Sequence, residues 1–354
     1  IWYHGEAGFT KGLNLFFKDP NLHKVWSSEP DLLSVLLPIA WAYCSDYQLP
    51  PQGGSQVFIE WLEHVTNYYK NDLIFQVEAK EILLSDGVCK GVRFSKNNKD
   101  YEVKAGHVIA ACDVERLYEK MLPTDQVPQQ LKTNLKSAVL YSSAVAISIA
   151  LDCPTESLGF QEELVLILAD GVSRKDHDSG DPYKTAISII PPSLRDKSLA
   201  PAGKGTLTIY SSAWIDYKNY WGTELDERGH FVRTDAYYKI KEEFAAIILD
   251  RIEERLDIDI RSHIEFMDIA SPITHWRYSF NRNGSIMGAR PGRANMEAKI
   301  AHHRTPIKNL ILGGHWSDLG GGVPIAVKAA TNASIFVLKE QKPAAFASFC
   351  KFAD

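Results

Sequence analysis

The residues best placed to do chemistry lie in Asn309–Lys339, NLILGGHWSDLGGGVPIAVKAATNASIFVLK. Leu310-Ile311-Leu312 reads as a short apolar strand, and Gly320-Gly321-Gly322 follows a turn-rich link carrying His315 and Trp316. A helix is expected from Val323 to Leu338, with Pro324 at or near its first position, where a missing N–H costs nothing. Its polar breaks are Lys328, Thr331, Asn332 and Ser334. A helix so apolar on every side is expected to be buried. Its glycine-opened start would present bare amides and the positive end of the helix dipole to an anion. Consecutive glycines also let a flat or charged ligand approach the main chain. The competing interpretation is a glycine loop that only makes a tight strand-to-helix turn.

Other chemistry is weakly represented. No GxSxG, HExxH, Walker A or GxGxxG motif occurs, so hydrolase and nucleotide-triphosphate readings have no anchor. His302-His303 lacks a spaced carboxylate or third ligand and reads as a surface pair. The five cysteines are widely spaced, with no CxxC or Cys/His cluster. No metal site or disulfide framework is expected, and a reducing, cytoplasmic setting is. The net charge of −5 is spread along the chain, and no basic block points to nucleic acid.

The elements that must position these residues are legible from pattern. The 354 residues, 45% hydrophobic and 23% charged, are enough for two or three globular domains. Residues 1–52 read as short, aromatic-rich helices broken by prolines. The apolar run Leu32–Cys44 is too short to span a bilayer. It is read as a buried helix, with peripheral contact at a membrane surface as the alternative. Gly53-Gly54-Ser55 opens a helix whose apolar face is Val57, Phe58, Trp61, Leu62, Val65, Tyr68 and Tyr69, with Ser55 as N-cap. Extended runs follow at Leu73–Val77, Ala79–Leu84, Val88–Phe94, Tyr101–Lys104 and Val108–Ala111, the last completing a meander. Asp113 caps a short helix ending before Pro123. Residues 139–151 alternate, with a bulky face and a small-residue face against which something packs closely. Leu164–Ala169, Thr185–Ile190 and Thr206–Ser211 are its expected partners in an antiparallel sheet. Thr234–Leu256 is an amphipathic helix, and Ile264–Ala270 is a further strand.

In this order the elements resemble the C-terminal two-thirds of the flavin-dependent amine oxidase and phytoene desaturase superfamily. The nearest likeness is to its phytoene desaturase, carotenoid isomerase and retinol saturase branch. Pro51–Ser55 resembles the family's P-x-G-G helix start. Ala79–Ile82 and Gly87–Val92 resemble its first strand and hairpin, and His107–Asp113 its ADxVIxNAD strand end. Ser271–Thr274 with Gly284–Gly288 is similar to TPxT…GxxxG, and Leu310–Ala330 to LYLAGxWTxPGGGVPGVxxSG. The likeness runs from about residue 50 to 338. Departures are Gly313 for Ala, Ile325 for a frequent Gly, and Lys328-Ala329-Ala330 for Ser-Gly. The dinucleotide fingerprint and its ribose-binding acid are also missing, so the chain is expected to be an incomplete version of a longer protein.

The resemblance implies an α/β fold with α+β character, the remainder of a two-domain, Rossmann-like FAD-binding flavoprotein with an antiparallel-sheet substrate domain. The implied division is 1–52 (helical, substrate side), 53–113 and 276–340 (FAD-binding), 114–275 (substrate domain) and 341–354 (tail). It further implies FAD as cofactor and a hydrophobic isoprenoid or polyene substrate, desaturated, isomerised or saturated at a C–C bond. A flavin amine oxidase is the alternative, and a non-catalytic lipid-binding or scaffolding piece is the second. Ala79, Ala111, Gly314, His315, Gly321, Gly322, Val323 and Ile325 are the implied cofactor contacts, with ordinary core alanine as the rival role for Ala79 and Ala111. His275, Arg277 and Tyr278 are candidates for the substrate face, although His275 also fits a core histidine.

Overall fold

The computed structural model describes residues 50–353, apart from 174, 228 and 320, together with 11, 14, 15 and 17–19. The expectations for the aromatic-rich start and for Leu32–Cys44 lie outside the described residues. Helix α1 (Ser55–Tyr68) begins at Ser55 itself, and Gly54 rather than Ser55 is its N-cap. Gly54 sits at φ 86°, ψ −173°, a conformation essentially reserved for glycine. The Gly53 amide donates to Asp196 Oδ2 at 2.7 Å.

The run Leu73–Val77 is irregular rather than a strand. Gln76 takes a left-handed φ of 57°, which breaks an extended backbone. Strands β1 (Glu78–Ser85), β2 (Val88–Lys96) and β3 (Lys99–Lys104) form an antiparallel meander in that order. Asp86 and Gly87 make its first turn, both with positive φ. The last of the five expected runs, β4 (Val108–Ala110), does not complete the meander. It pairs instead, in parallel, with Leu310–Leu312. Helix α2 (Val114–Lys120) is capped as its sequence suggests, since Asp113 Oδ1 accepts from the Arg116 amide at 2.7 Å. Helix α3 (Gln129–Lys136) follows.

Next comes a mixed segment dominated by β5 (Ser143–Leu151), β6 (Val165–Ile167), β7 (Ile187–Ile190), α4 (Pro192–Arg195) and β8 (Gly205–Ala213). Helix α5 (Asp235–Leu256), β9 (Ile264–Ala270) and α6 (Pro272–Ser279) complete it. The five strands form one sheet, ordered β6-β7-β8-β5-β9, antiparallel at every pairing. Val145, Ile147, Ile149 and Leu151 point their bulk into the same core as Phe244, Ile248 and Ile252 of α5. Residues 139–142 precede the strand, and its small face is fully covered only at Ala144, for Ala146 and Ala150 are half-buried and Ser148 is exposed.

The remaining elements are α7 (Arg293–Glu297), β10 (Leu310–Leu312), α8 (Gly322–Gln341) and α9 (Pro343–Ala353). Two compact units result. The described residues of the first are those up to 73, Ser142–Tyr278 and Arg282–Ile286, and the second holds Ile74–Tyr141, Ser279–Asn281 and the chain from Met287. These limits differ from the sequence-based ones: α1 clusters with the five-stranded sheet, and residues 114–141 with the parallel strand pair. The reason for the second is the shared core of Leu117, Tyr118, Leu135, Leu310 and Leu312. No helix among the described residues is long and apolar enough to cross a membrane.

Candidate functional site

The second unit brings most of the glycine-rich candidates together at the carboxyl ends of β4 and β10. These strands run side by side, Leu310 against Val108, Ile311 against Ile109 and Leu312 against Ala110. The Gly313 amide continues the ladder to the Ala110 carbonyl at 2.9 Å. Ala111 and Gly314 then emerge as neighbours. A Cβ on Gly314 would lie 3.0–3.2 Å from the Ala111 main chain, so glycine is what allows the two strand ends to touch. Gly314 itself is held by Ser317, whose Oγ donates to its carbonyl at 2.7 Å. Ligands of parallel α/β sheets lie beyond strand carboxyl ends, and this is where the sequence-expected contacts meet.

Helix α8 is fixed against this strand pair at three levels. At Gly313 a Cβ would come within 2.4 Å of Ile109 and 3.2 Å of Ala333. Glycine at 313 thus allows close helix–strand packing. At the far end His107 meets Glu340 at 3.0 Å and Gln341 at 3.2 Å. At the near end Gly321 sits on Met287, where a Cβ would be 2.5 Å from the methionine Cβ. Gly321 is the N-cap at φ 63°, ψ −175°, without a side-chain cap, and Pro324 is the third helical residue. First-turn amides have no intrahelical acceptor, and Gly322 and Val323 are exposed. The expectation of a helix buried all round is corrected: only Ala329 and Ala333 are fully buried, and Val323 keeps 60% of its surface. Full burial is confined to the small-residue stripe, while Ile335, Phe336, Val337 and Leu338 are half-buried and the Phe336 ring lies 5.6 Å from that of His303.

His315 is half-buried. Its Nε2 lies 3.4 Å from Asn281 Nδ2, and Trp316 Nε1 donates to Asn281 Oδ1 at 3.0 Å. Asn281 is completely buried. Both rings press on Gly288, where a Cβ would stand 2.8 Å from His315 Cδ2 and 3.0 Å from Trp316 Cε2. Gly288 has φ +72°, a second reason for glycine there. Burial lowers the His315 pKa below its usual value, so the ring is neutral at neutral pH. Sequence inspection missed Asn281, Met287 and Gly288 as supports of this site. The signal for Met287 and Gly288 was the GxxxG-like Gly284–Gly288, to which no role was given.

Asp113 closes the β4 end. It is buried, and burial pushes its pKa up to about 7, against the lowering effect of the Arg116 amide. Its Oδ2 is buried without a hydrogen-bond partner. The remaining cofactor candidates are less enclosed. Ala79 is exposed on β1, the edge strand of the meander, beside an irregularity in its pairing. Ile325 is half-buried in the first turn of α8.

The three substrate-face candidates belong to the other unit. His275 is half-buried on α6. Burial lowers its pKa, opposed by a hydrogen bond with the Ala144 main chain. Arg277 and Tyr278 are exposed and pair with each other, Nη2 to Oη, at 2.7 Å. His302-His303 is not a surface pair. His303 Nδ1 meets the Leu312 carbonyl at 3.0 Å and His302 Nε2 lies 3.5 Å from Tyr118 Oη. The segment is drawn in because the Leu312 amide donates to the His303 carbonyl at 2.8 Å.

Comparison with known proteins agrees with this architecture. The all-trans-retinol 13,14-reductase of Danio rerio is 27% identical over 302 residues, covering 81% of this chain and 49% of that protein. The chloroplastic prolycopene isomerase of Daucus carota is 26% identical over 217 residues, covering 61% and 32%. The chain thus spans about half the length of the first and a third of the second. No family model matches. Among solved structures, a putrescine oxidase triple mutant aligns with TM-score 0.55 and 14% identity, over 94% of this chain and 67% of that one. An oxidoreductase from Methanosarcina mazei aligns with TM-score 0.50 and 16% identity, over 80% and 55%. At such identity these two carry fold alone. These likenesses agree with the resemblance to the phytoene desaturase and retinol saturase-like branch of the flavin amine oxidase superfamily.

Proposed function

We propose that this chain supplies the flavin-ring side of an FAD-dependent oxidoreductase that desaturates, isomerises or saturates a C–C bond of a hydrophobic polyene. The observation that carries the proposal is the Gly314–Ala111 contact at the ends of two parallel strands, followed directly by an uncapped, glycine-opened helix. The likeness to a retinol reductase and a prolycopene isomerase supports the substrate class.

The residues present fit a flavin. A cradle that a single Cβ would fill, at Gly314, suits a flat group lying on main chain. Amides at Gly321, Gly322 and Val323 and the α8 dipole favour negative charge on a bound ring without a titrating side chain. FAD, when bound, supplies the hydride chemistry. The chain's own part is to orient and to exclude water. His315, kept neutral by burial and held by Asn281 and Gly288, can offer a hydrogen bond without adding charge. Ala111 and Ala79 would contribute main chain, and His275, Arg277 and Tyr278 the substrate side. Residues 53–113 and 276–340 would serve the cofactor and 114–275 the substrate.

The test is visible absorbance. The full-length protein should copurify with, or be reconstituted by, FAD and show a flavin spectrum. A colourless protein that takes up no FAD would sink the proposal. With flavin present, a change in a polyene's absorption spectrum is expected. Peroxide release from simple amines, with polyene spectra unchanged, would replace the polyene substrate with an amine.

A further inference from the structure

A second cluster of chemical side chains lies in the five-stranded sheet unit and takes no part in the flavin proposal. The carboxylate of Asp152, the thiol of Cys153 and the imidazole of His263 bring one ligand atom each to within 4.8 Å of the others. Among the described residues this is the one such group of three. Residues 152 and 263 stand far apart in sequence, and strand pairing unites them. Leu151 pairs with Ile264 across β5 and β9, so Asp152 and His263 face each other one step beyond the ladder. The Asp152 amide donates to the His263 carbonyl at 3.0 Å, and His263 Nδ1 meets Asp152 Oδ1 at 2.8 Å.

Cys153 is held independently. A Cβ on Gly205 would lie 2.8 Å from the Cys153 carbonyl and 2.9 Å from the Thr155 amide, so β8 presses on the main chain there. Pro154 follows at φ −61° and caps the short 3-10 turn Thr155–Leu158. Half-buried, Cys153 packs on the sheet core while the other two ligands face solvent. Three donors therefore stand on backbone that is already positioned, with one side open.

We propose that Asp152, Cys153 and His263 bind a divalent transition metal of the zinc class, with water or an exogenous group in the fourth position. Thiolate with imidazole selects zinc-like ions over calcium or magnesium, which prefer all-oxygen sites. The carboxylate and thiolate together balance the charge of a dication. Tetrahedral bonds of zinc length place an oxygen and a nitrogen ligand about 3.4 Å apart. The Asp152–His263 hydrogen bond, now 2.8 Å, therefore opens by roughly half an ångström as the ion enters. An Asp–His surface pair alone contributes little to stability and has no use for Cys153. The thiol distinguishes the two cases. Binding exchanges the Cys153 thiol proton for the metal, and the proton leaves to solvent.

The experiment uses untagged, chelator-treated protein titrated with Co²⁺. The expected result is a near-ultraviolet thiolate-to-cobalt band that saturates at one equivalent and is bleached by Zn²⁺. Cys153→Ser should abolish the band, and Asp152→Asn and His263→Gln should each weaken binding about tenfold or more. In the unaltered protein, Zn²⁺ should protect Cys153 from alkylation while half-buried Cys350 reacts as before, a readout that needs no variant to fold. Absence of the band, its survival in Cys153→Ser, or equal alkylation of Cys153 with and without Zn²⁺ would overturn the site. None of these outcomes depends on flavin.

Discussion

The two compact units are built on opposite principles. The sheet unit is held by large side chains. Trp221 stacks on Phe244 with ring centroids 5.7 Å apart, and both are buried with Ile147, Ile149 and Ile209. The candidate cofactor site of the other unit is built from side chains that are missing. At Gly313, Gly314, Gly288 and Gly321 a single added carbon would fall between 2.4 and 3.2 Å from a neighbour. A core gains from volume because apolar burial and close packing stabilise it. A site for a flat, anionic group gains from bare main chain, because amides can then face the ligand directly. The sheet core should thus be broken by removing carbon and the glycine site by adding it.

The largest expected effect tests the first half of that contrast. Phe244→Ala should cost about 3–5 kcal/mol in urea unfolding through the cavity it leaves. A cost below 1 kcal/mol would mean that the aromatic stack is dispensable. Gly321→Ala tests the other half. Its φ 63°, ψ −175° backbone should strain any other residue by roughly 1–3 kcal/mol, with the Met287 contact in addition. Flavin content per folded molecule should fall at the same time, read from the visible-to-ultraviolet absorbance ratio. Full flavin retention would separate the helix start from the cofactor.

A pH series sharpens the contrast at Asp113. Its pKa is raised in the folded state to about 7 from 3.8, so the fold holds a proton that the unfolded chain releases. That contribution is complete below pH 4 and is lost as pH rises towards 7. Asp113→Asn keeps a capping oxygen and removes the charge. It should flatten the fall in Tm between pH 4 and 7, and an unchanged slope would show that Asp113 is not the group responsible.

The smallest effects come from a matched pair. Tyr237 Oη and buried Ser271 Oγ lie 2.6 Å apart in the sheet unit, and Trp316 bonds Asn281 in the other. Tyr237→Phe and Trp316→Phe should each cost about 1–2 kcal/mol by removing a partner from a buried polar group. Only Trp316→Phe should also shift the flavin absorption maximum. A shift in both would blur the division of labour between the units.

Much of the sheet unit was legible because its signals are local. The alternation read over 139–151, of which 143–151 forms β5, and the apolar stripe of α5 each lie within one short window. The glycine site was legible only in part. Gly321 and Gly322 announced themselves, but the expected all-round burial of α8 failed, since only Ala329 and Ala333 are fully covered and the larger apolar residues stay half-buried or exposed. Asn281 gave no local sign and Gly288 only a place in the GxxxG-like Gly284–Gly288, since their role exists only where the His315 and Trp316 rings meet them.

What the sequence by itself determined is the kind and order of the longer elements, and some of the places where backbone must take glycine conformations. Those depend on residue size, periodicity and φ preference, which act over a few residues. Only the tertiary structure decided that β4 leaves its meander to run parallel with β10, and that Asp152 and Cys153 meet His263. Both contacts close long stretches of chain. Long closure costs little more entropy than short closure, so many pairings compete, and the choice falls to the packing of the assembled core.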